Sequence, residues 1–192
     1  MNTTEAPASL DEARTARVFL TRGVIAIVWA AVFAAVADSL TFGVGALLVL
    51  YPLIAVVGSL VDARSEVGAA RRLLLADAAT STVAAIALGI AATGTAANVF
   101  AVFGLWAGLS GAVQLVTAIR RRAKFGMQWP MLLAGGGSVL FGLAYLIAAT
   151  GDDPNLRMLA FYAAGGGIEF TIQAWLLERR RGHGLTALPA QA

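Results

Sequence analysis

Glu169 is the residue of this chain with the most chemistry to offer. It stands near the middle of an apolar run, Met158–Leu177, and Gln173 follows one helical turn later on the same face. A carboxylate at the centre of a bilayer costs several kcal/mol unless it is paired, hydrated or protonated, so such residues mark proton or ion sites. Ser110 and Gln114 repeat this polar spacing in an earlier apolar run, and Ser81 and Ser138 sit at mid-depth in two others. These six side chains would form a polar seam, with Glu169 as the proton- or ion-binding group and the others as hydrogen-bond partners. The plainer reading is a protonated Glu169 bonded to a neighbour such as Gln114 and serving only packing specificity. No second strongly ionisable group shares its depth, so a complete relay is not visible.

Arg22 and Asp77 form a second constellation. Both lie about one turn inside an apolar run, at matching depth, where charges are tolerated by pairing. They are read as a candidate intramembrane ion pair; the alternative is that Arg22 snorkels alone to the interface. Signatures of catalysis are missing. The single histidine, His183, is near the end of the chain, and no metal-ligand spacing, nucleophile–base pair or phosphate loop can be assembled. Neither enzyme activity nor a cofactor or metal is expected. With no cysteine, disulfides and thiol chemistry are excluded.

The elements that must position these residues follow from composition. Of 192 residues, 59% are hydrophobic and 13% charged, where a soluble domain has about a quarter charged. Too few charges remain to coat a water-facing surface, so lipid is the expected solvent. Six apolar runs are long enough to cross a bilayer: 18–37, 42–61, 73–92, 97–119, 129–149 and 158–177. Strands of a barrel would be half as long and would alternate in polarity. The expected fold is an all-α polytopic membrane protein of six transmembrane helices over residues 18–181. A segment over 1–17 and a tail over 182–192 flank it.

Every basic residue except Arg157 falls on one side of these spans, in clusters such as Arg120–Lys124 and Arg179–Arg181. Asp38, Asp152 and Asp153 fall on the other. The positive-inside rule then places both termini in the cytoplasm. Basic clusters of this kind explain the net charge of +3 without nucleic acid as a partner. They also offer a surface to anionic lipid heads. Ala35-Val36-Ala37 resembles a signal-peptidase site, but Glu5, Asp11 and Glu12 precede it, unlike a basic leader. Ser9–Glu12 fits a capping box, predicting a helix start there with residues 1–8 loose ahead of it. The stretch after Gly182 is also expected to be loose.

The chain repeats itself at roughly 55–59 residues, a self-similarity that marks stacked units. Leu20–Gly23, Leu75–Ala78 and Leu132–Gly135 align in the odd spans. The even spans each close on an arginine: Gly58 to Arg64, Gln114 to Arg120 and Gln173 to Arg179. These are three parallel helical-hairpin repeats, each beginning and ending on the same side. Small residues would let the helices approach closely. Gly104-x-x-x-Gly108 is the literal motif, with Gly135 and Gly167 in flat glycine patches; the alternative use of such patches is homo-oligomerisation. Pro52 is expected to kink the second span, and Trp129 and Trp175 to anchor near the cytoplasmic boundary.

Segments such as Arg22–Ile27 and Leu109–Arg120 resemble the short repeats of the HdeD-like acid-resistance membrane protein family. The likeness runs from about Val18 to Arg181; the first repeat departs from it at Pro52 and Gly58. The resemblance implies a small bacterial inner-membrane protein of acid or envelope stress, with no catalytic residues to carry over. The rival reading of the same residues is a small proton- or cation-coupled transporter or channel using Glu169.

Overall fold

The computed structural model describes residues 5–125 and 129–186. Its elements are six helices: α1 (Glu5–Val36), α2 (Phe42–Ala63), α3 (Gly68–Ala91), α4 (Ala96–Phe125), α5 (Trp129–Ala148) and α6 (Leu159–Thr186). A 3-10 turn, Leu156–Met158, leads into α6. There is no strand among the described residues. Residues 15–36, 42–63, 68–91 and 96–120 are long and apolar enough to cross a membrane, whereas the apolar run Leu132–Ala148 of α5 is shorter. Glycines, Glu169, Gln173 and the closing charges dilute the apolar character of α6.

Large apolar side chains face outward around the bundle, including Val28, Val57, Val83, Ile86, Leu105, Leu140 and Phe161. That is the surface of a protein dissolved in lipid, where nothing drives apolar groups inward and packing must hold the helices together.

Several ends differ from expectation. Ser9 and Glu12 lie inside α1, which already begins at Glu5, so they form no capping box. Alanines favour that extra length, and Pro7 sits in the first turn, where its missing N–H is not needed. Of the segment expected to be loose, residues 1–4 lie outside the described residues. Helix α6 likewise runs past Gly182 to Thr186, since leucines and a C-terminal arginine run suit both helix propensity and the macrodipole. Residues 187–192 lie outside the description. Helix α2 continues through Pro52, which is fully buried.

Short turns make successive helices antiparallel. Thr41 caps α2 by accepting the Val44 N–H at 3.3 Å. Gly68 opens α3 at φ +61°, a left-handed conformation that glycine adopts without steric cost. The α1–α2, α3–α4 and α5–α6 connections meet at one end, where Asp38, Gly94, Thr95 and Asp152–Arg157 line a shared depression. Arg157 bridges to Asp38 there at 2.5 Å.

Helices linked by these connections are not those that pack most tightly. The extensive contacts are α1 with α6, α2 with α3 and α4 with α5; α3 also packs on α4, while α1–α2 and α5–α6 touch lightly. Glycines set the closest approaches. A Cβ on Gly142 would lie 2.6 Å from the Gly108 nitrogen, and one on Gly111 would lie 2.7 Å from the Gly135 carbonyl oxygen. Across α1 and α6, a Cβ on Gly23 would come within 2.9 Å of the Gly167 oxygen. Gly104, Gly135 and Gly167 thus serve packing within this chain, whereas a Cβ on Gly108 would meet nothing within 4 Å and only its backbone is approached, by Gly142.

Candidate functional site

Two zones follow one another along the bundle axis. Toward the three short connections the interior is aromatic. Phe33, Phe100 and Phe103 are fully buried. The Phe103 ring meets Tyr51, Trp106, Tyr145 and Tyr162 at centroid distances of 5.3–6.1 Å. Most of these pairs are edge-to-face, which sets the positive ring edge against the negative face of its neighbour. The polar tips find partners at the margin: Trp29 Nε1 donates to the Leu47 carbonyl at 2.9 Å, and the Tyr145 hydroxyl to the Met158 carbonyl at 2.8 Å.

Toward the arginine side the interior turns polar. Helical spacing explains which residues face it. Tyr162, Gly166, Glu169 and Gln173 follow one another at three- and four-residue steps on α6, and Gly166 is placed inward, since a Cβ there would lie 3.8 Å from the Tyr51 hydroxyl. On α4 the same spacing carries Phe103, Trp106, Ser110 and Gln114 from the aromatic zone into the polar one. Gln173 donates to Glu169 Oε1. Trp106 Nε1 donates to the fully buried Ser81 Oγ at 3.0 Å. The Tyr162 hydroxyl lies within electrostatic range of Ser138, Asp77 and Glu169.

The expected Arg22–Asp77 pair does not form. Arg22 instead makes a forked pair with Asp62, Nη1 to Oδ2 and Nη2 to Oδ1 both at 2.9 Å, and Nη2 also donates to the Gly58 carbonyl at 2.9 Å. The cause is packing: α1 pairs with α6 rather than with α3, so Asp62 on α2 is the acid within reach of the guanidinium. Equal depth put Arg22 and Asp77 at one level without making their helices neighbours. Asp77 is held by two hydroxyls, from Ser59 on α2 at 2.6 Å and from Ser110 on α4 at 2.9 Å.

The seam is therefore gathered in part. Ser110 joins Asp77, and Gln173 joins Glu169, while Ser81 serves Trp106 and Ser138 stands outside these bonds. Glu169 is not bonded to Gln114, whose Oε1 is buried with no hydrogen-bond partner. Among the described residues, neither Asp77 nor Glu169 has an ion-pair partner. Ser59, Asp62 and Tyr162 were missed in the sequence. A signal existed for Asp62, an acid at the basic end of the span that follows Arg22 directly; Ser59 and Tyr162 carry none. No group of three histidine, cysteine or acidic side chains converges among the described residues.

Comparison with protein-family models, with curated proteins and with solved structures finds no match.

Proposed function

We propose that this chain is a six-span inner-membrane protein of the HdeD-like type, built as three parallel hairpins with both termini cytoplasmic. It acts without enzymatic chemistry in acid or envelope stress by exchanging protons at Glu169. The observation that carries this reading is a carboxylate on the inward face of α6, bonded to a neutral amide and, among the described residues, lacking a cationic partner. Such a group answers acidity directly, because protonation relieves the cost of a charge among apolar helices.

Six spans rather than four are supported by the outward apolar faces of the last two helices, with Leu133, Leu140, Leu143 and Ile147 on α5 and Phe161, Ile168 and Ile172 on α6. The repeat is supported by matching closures: Gly111 meets Gly135 across α4 and α5 much as Gly167 meets Gly23 across α6 and α1. The arginine clusters fit anionic lipid heads at the cytoplasmic face. Deletion of the gene should lower survival after acid shock, and the Glu169→Gln variant should fail to restore it although it inserts normally. Full rescue by that variant would overturn the reading.

A second reading, a small proton- or cation-coupled transporter or channel, is favoured by one observation. Tyr162 lies within electrostatic range of Glu169 on its own helix and of Asp77 on another, so two carboxylates bear on one polar zone. In sealed vesicles this reading requires a pH-dependent flux that Glu169→Gln abolishes; no flux across the common monovalent cations would eliminate it.

A further inference from the structure

We infer that Asp77 is the anionic ligand of a site for a monovalent hard cation of the sodium class, built by α2, α3 and α4 and separate from Glu169. Asp77 presents both oxygens to the hydroxyls of Ser59 and Ser110, at 2.6 and 2.9 Å. Both serines are buried, at 8% and 6% exposure. A hydroxyl has one proton to donate and lone pairs to offer. The hydroxyls that donate to the carboxylate can therefore turn their lone pairs to a cation seated beside it. One turn along α4 from Ser110, on the same face, Gln114 Oε1 is a buried acceptor with no donor. A buried acceptor left without a partner is costly, and its place one turn from Ser110 makes it the candidate for a further oxygen beside the two of Asp77 and the two hydroxyls. Oxygen ligands of this kind suit hard cations.

Charge decides the valence. One carboxylate neutralises one positive charge, and a divalent ion would leave a net charge in a zone where uncompensated charge is expensive. Arg22, at the same depth, does not compete, since its guanidinium is committed to Asp62 and the Gly58 carbonyl. Nor does the ligand set resemble a transition-metal centre, which would draw on histidine or cysteine.

The site rests on the membrane reading of the bundle but not on proton exchange at Glu169, and the test keeps the two apart. Full-length protein in detergent is unfolded by heat in sodium, potassium or choline chloride at equal ionic strength. A ligand bound only by the folded state raises the folded-to-unfolded ratio about a hundredfold at a hundred times its Kd. Sodium should raise the midpoint over choline in a saturable way. Asp77→Asn and Ser110→Ala should each remove that increment, and Glu169→Gln should keep it. Should Asp77→Asn fail to fold, Gln114→Leu provides the second variant, with the increment expected to weaken. The inference is overturned if no cation exceeds choline, if the increment survives both Asp77→Asn and Ser110→Ala, or if the midpoint follows pH alone. Loss of the increment in Glu169→Gln would also overturn it, by moving the site to α6.

Discussion

Toward the short loops, Phe33, Phe100 and Phe103 have no exposed surface and meet their neighbours ring to ring. Toward the arginines lie two carboxylates without an ion-pair partner among the described residues, a half-exposed forked ion pair and an orphaned amide oxygen. The aromatic zone is held by ring packing, with the Trp29 and Tyr145 tips bonded to backbone carbonyls. The polar zone survives only where each charge has a hydrogen-bond partner or a means of being neutralised. One zone can thus be judged by packing and the other by chemistry, and mutations should separate them.

The largest effect should come from a seam that supports both zones. Gly142→Val puts side-chain atoms into the backbone of α4, where even a Cβ lies 2.6–2.8 Å from Gly108 and Gly104 atoms. No monodisperse protein should be recovered by size-exclusion chromatography, while Gly137→Ala, with open space around it, should behave as the parent. Phe103→Ala should come next, costing about 3 kcal/mol by reversible unfolding in micelles. If the zones are independent, it should leave any cation-dependent stabilisation in place.

Within the polar zone the effects are smaller. Replacing both Ser59 and Ser110 by Ala strips Asp77 of its donors, and should cost about 2 kcal/mol; replacing Asp77 as well by Asn should recover part of that loss. Arg22→Gln should cost about 1 kcal/mol, discounted because Asp62 is 41% exposed and water screens the pair. A double-mutant cycle with Asp62→Asn measures the coupling, and no coupling would mean that the fork is ornamental. The smallest effect belongs to Arg157→Gln at the loop end, where both partners are exposed; its midpoint should be unchanged at moderate salt.

The way these residues were legible follows their physics. Helix existence and turn placement could be read because hydropathy acts locally: a run of apolar residues must satisfy its own backbone in lipid. Glu169 could be read because a lone carboxylate in such a run is costly wherever the helix packs, and its bond to Gln173 follows from spacing along one helix. Arg22 could not be assigned its partner, because depth is a sequence property whereas adjacency is not.

By itself, the sequence determined a lipid-facing helical chain, the short turns between its helices, the glycines that permit close approach, and a carboxylate that needs neutralising. Only the tertiary structure decided that α1 closes on α6, that Asp62 rather than Asp77 takes Arg22, and that Ser59 and Ser110 meet at Asp77 from different helices. The reason is the absence of a hydrophobic drive between helices in lipid. Pairing there is settled by complementary surface and hydrogen bonds summed over whole helices, which no short stretch of sequence contains.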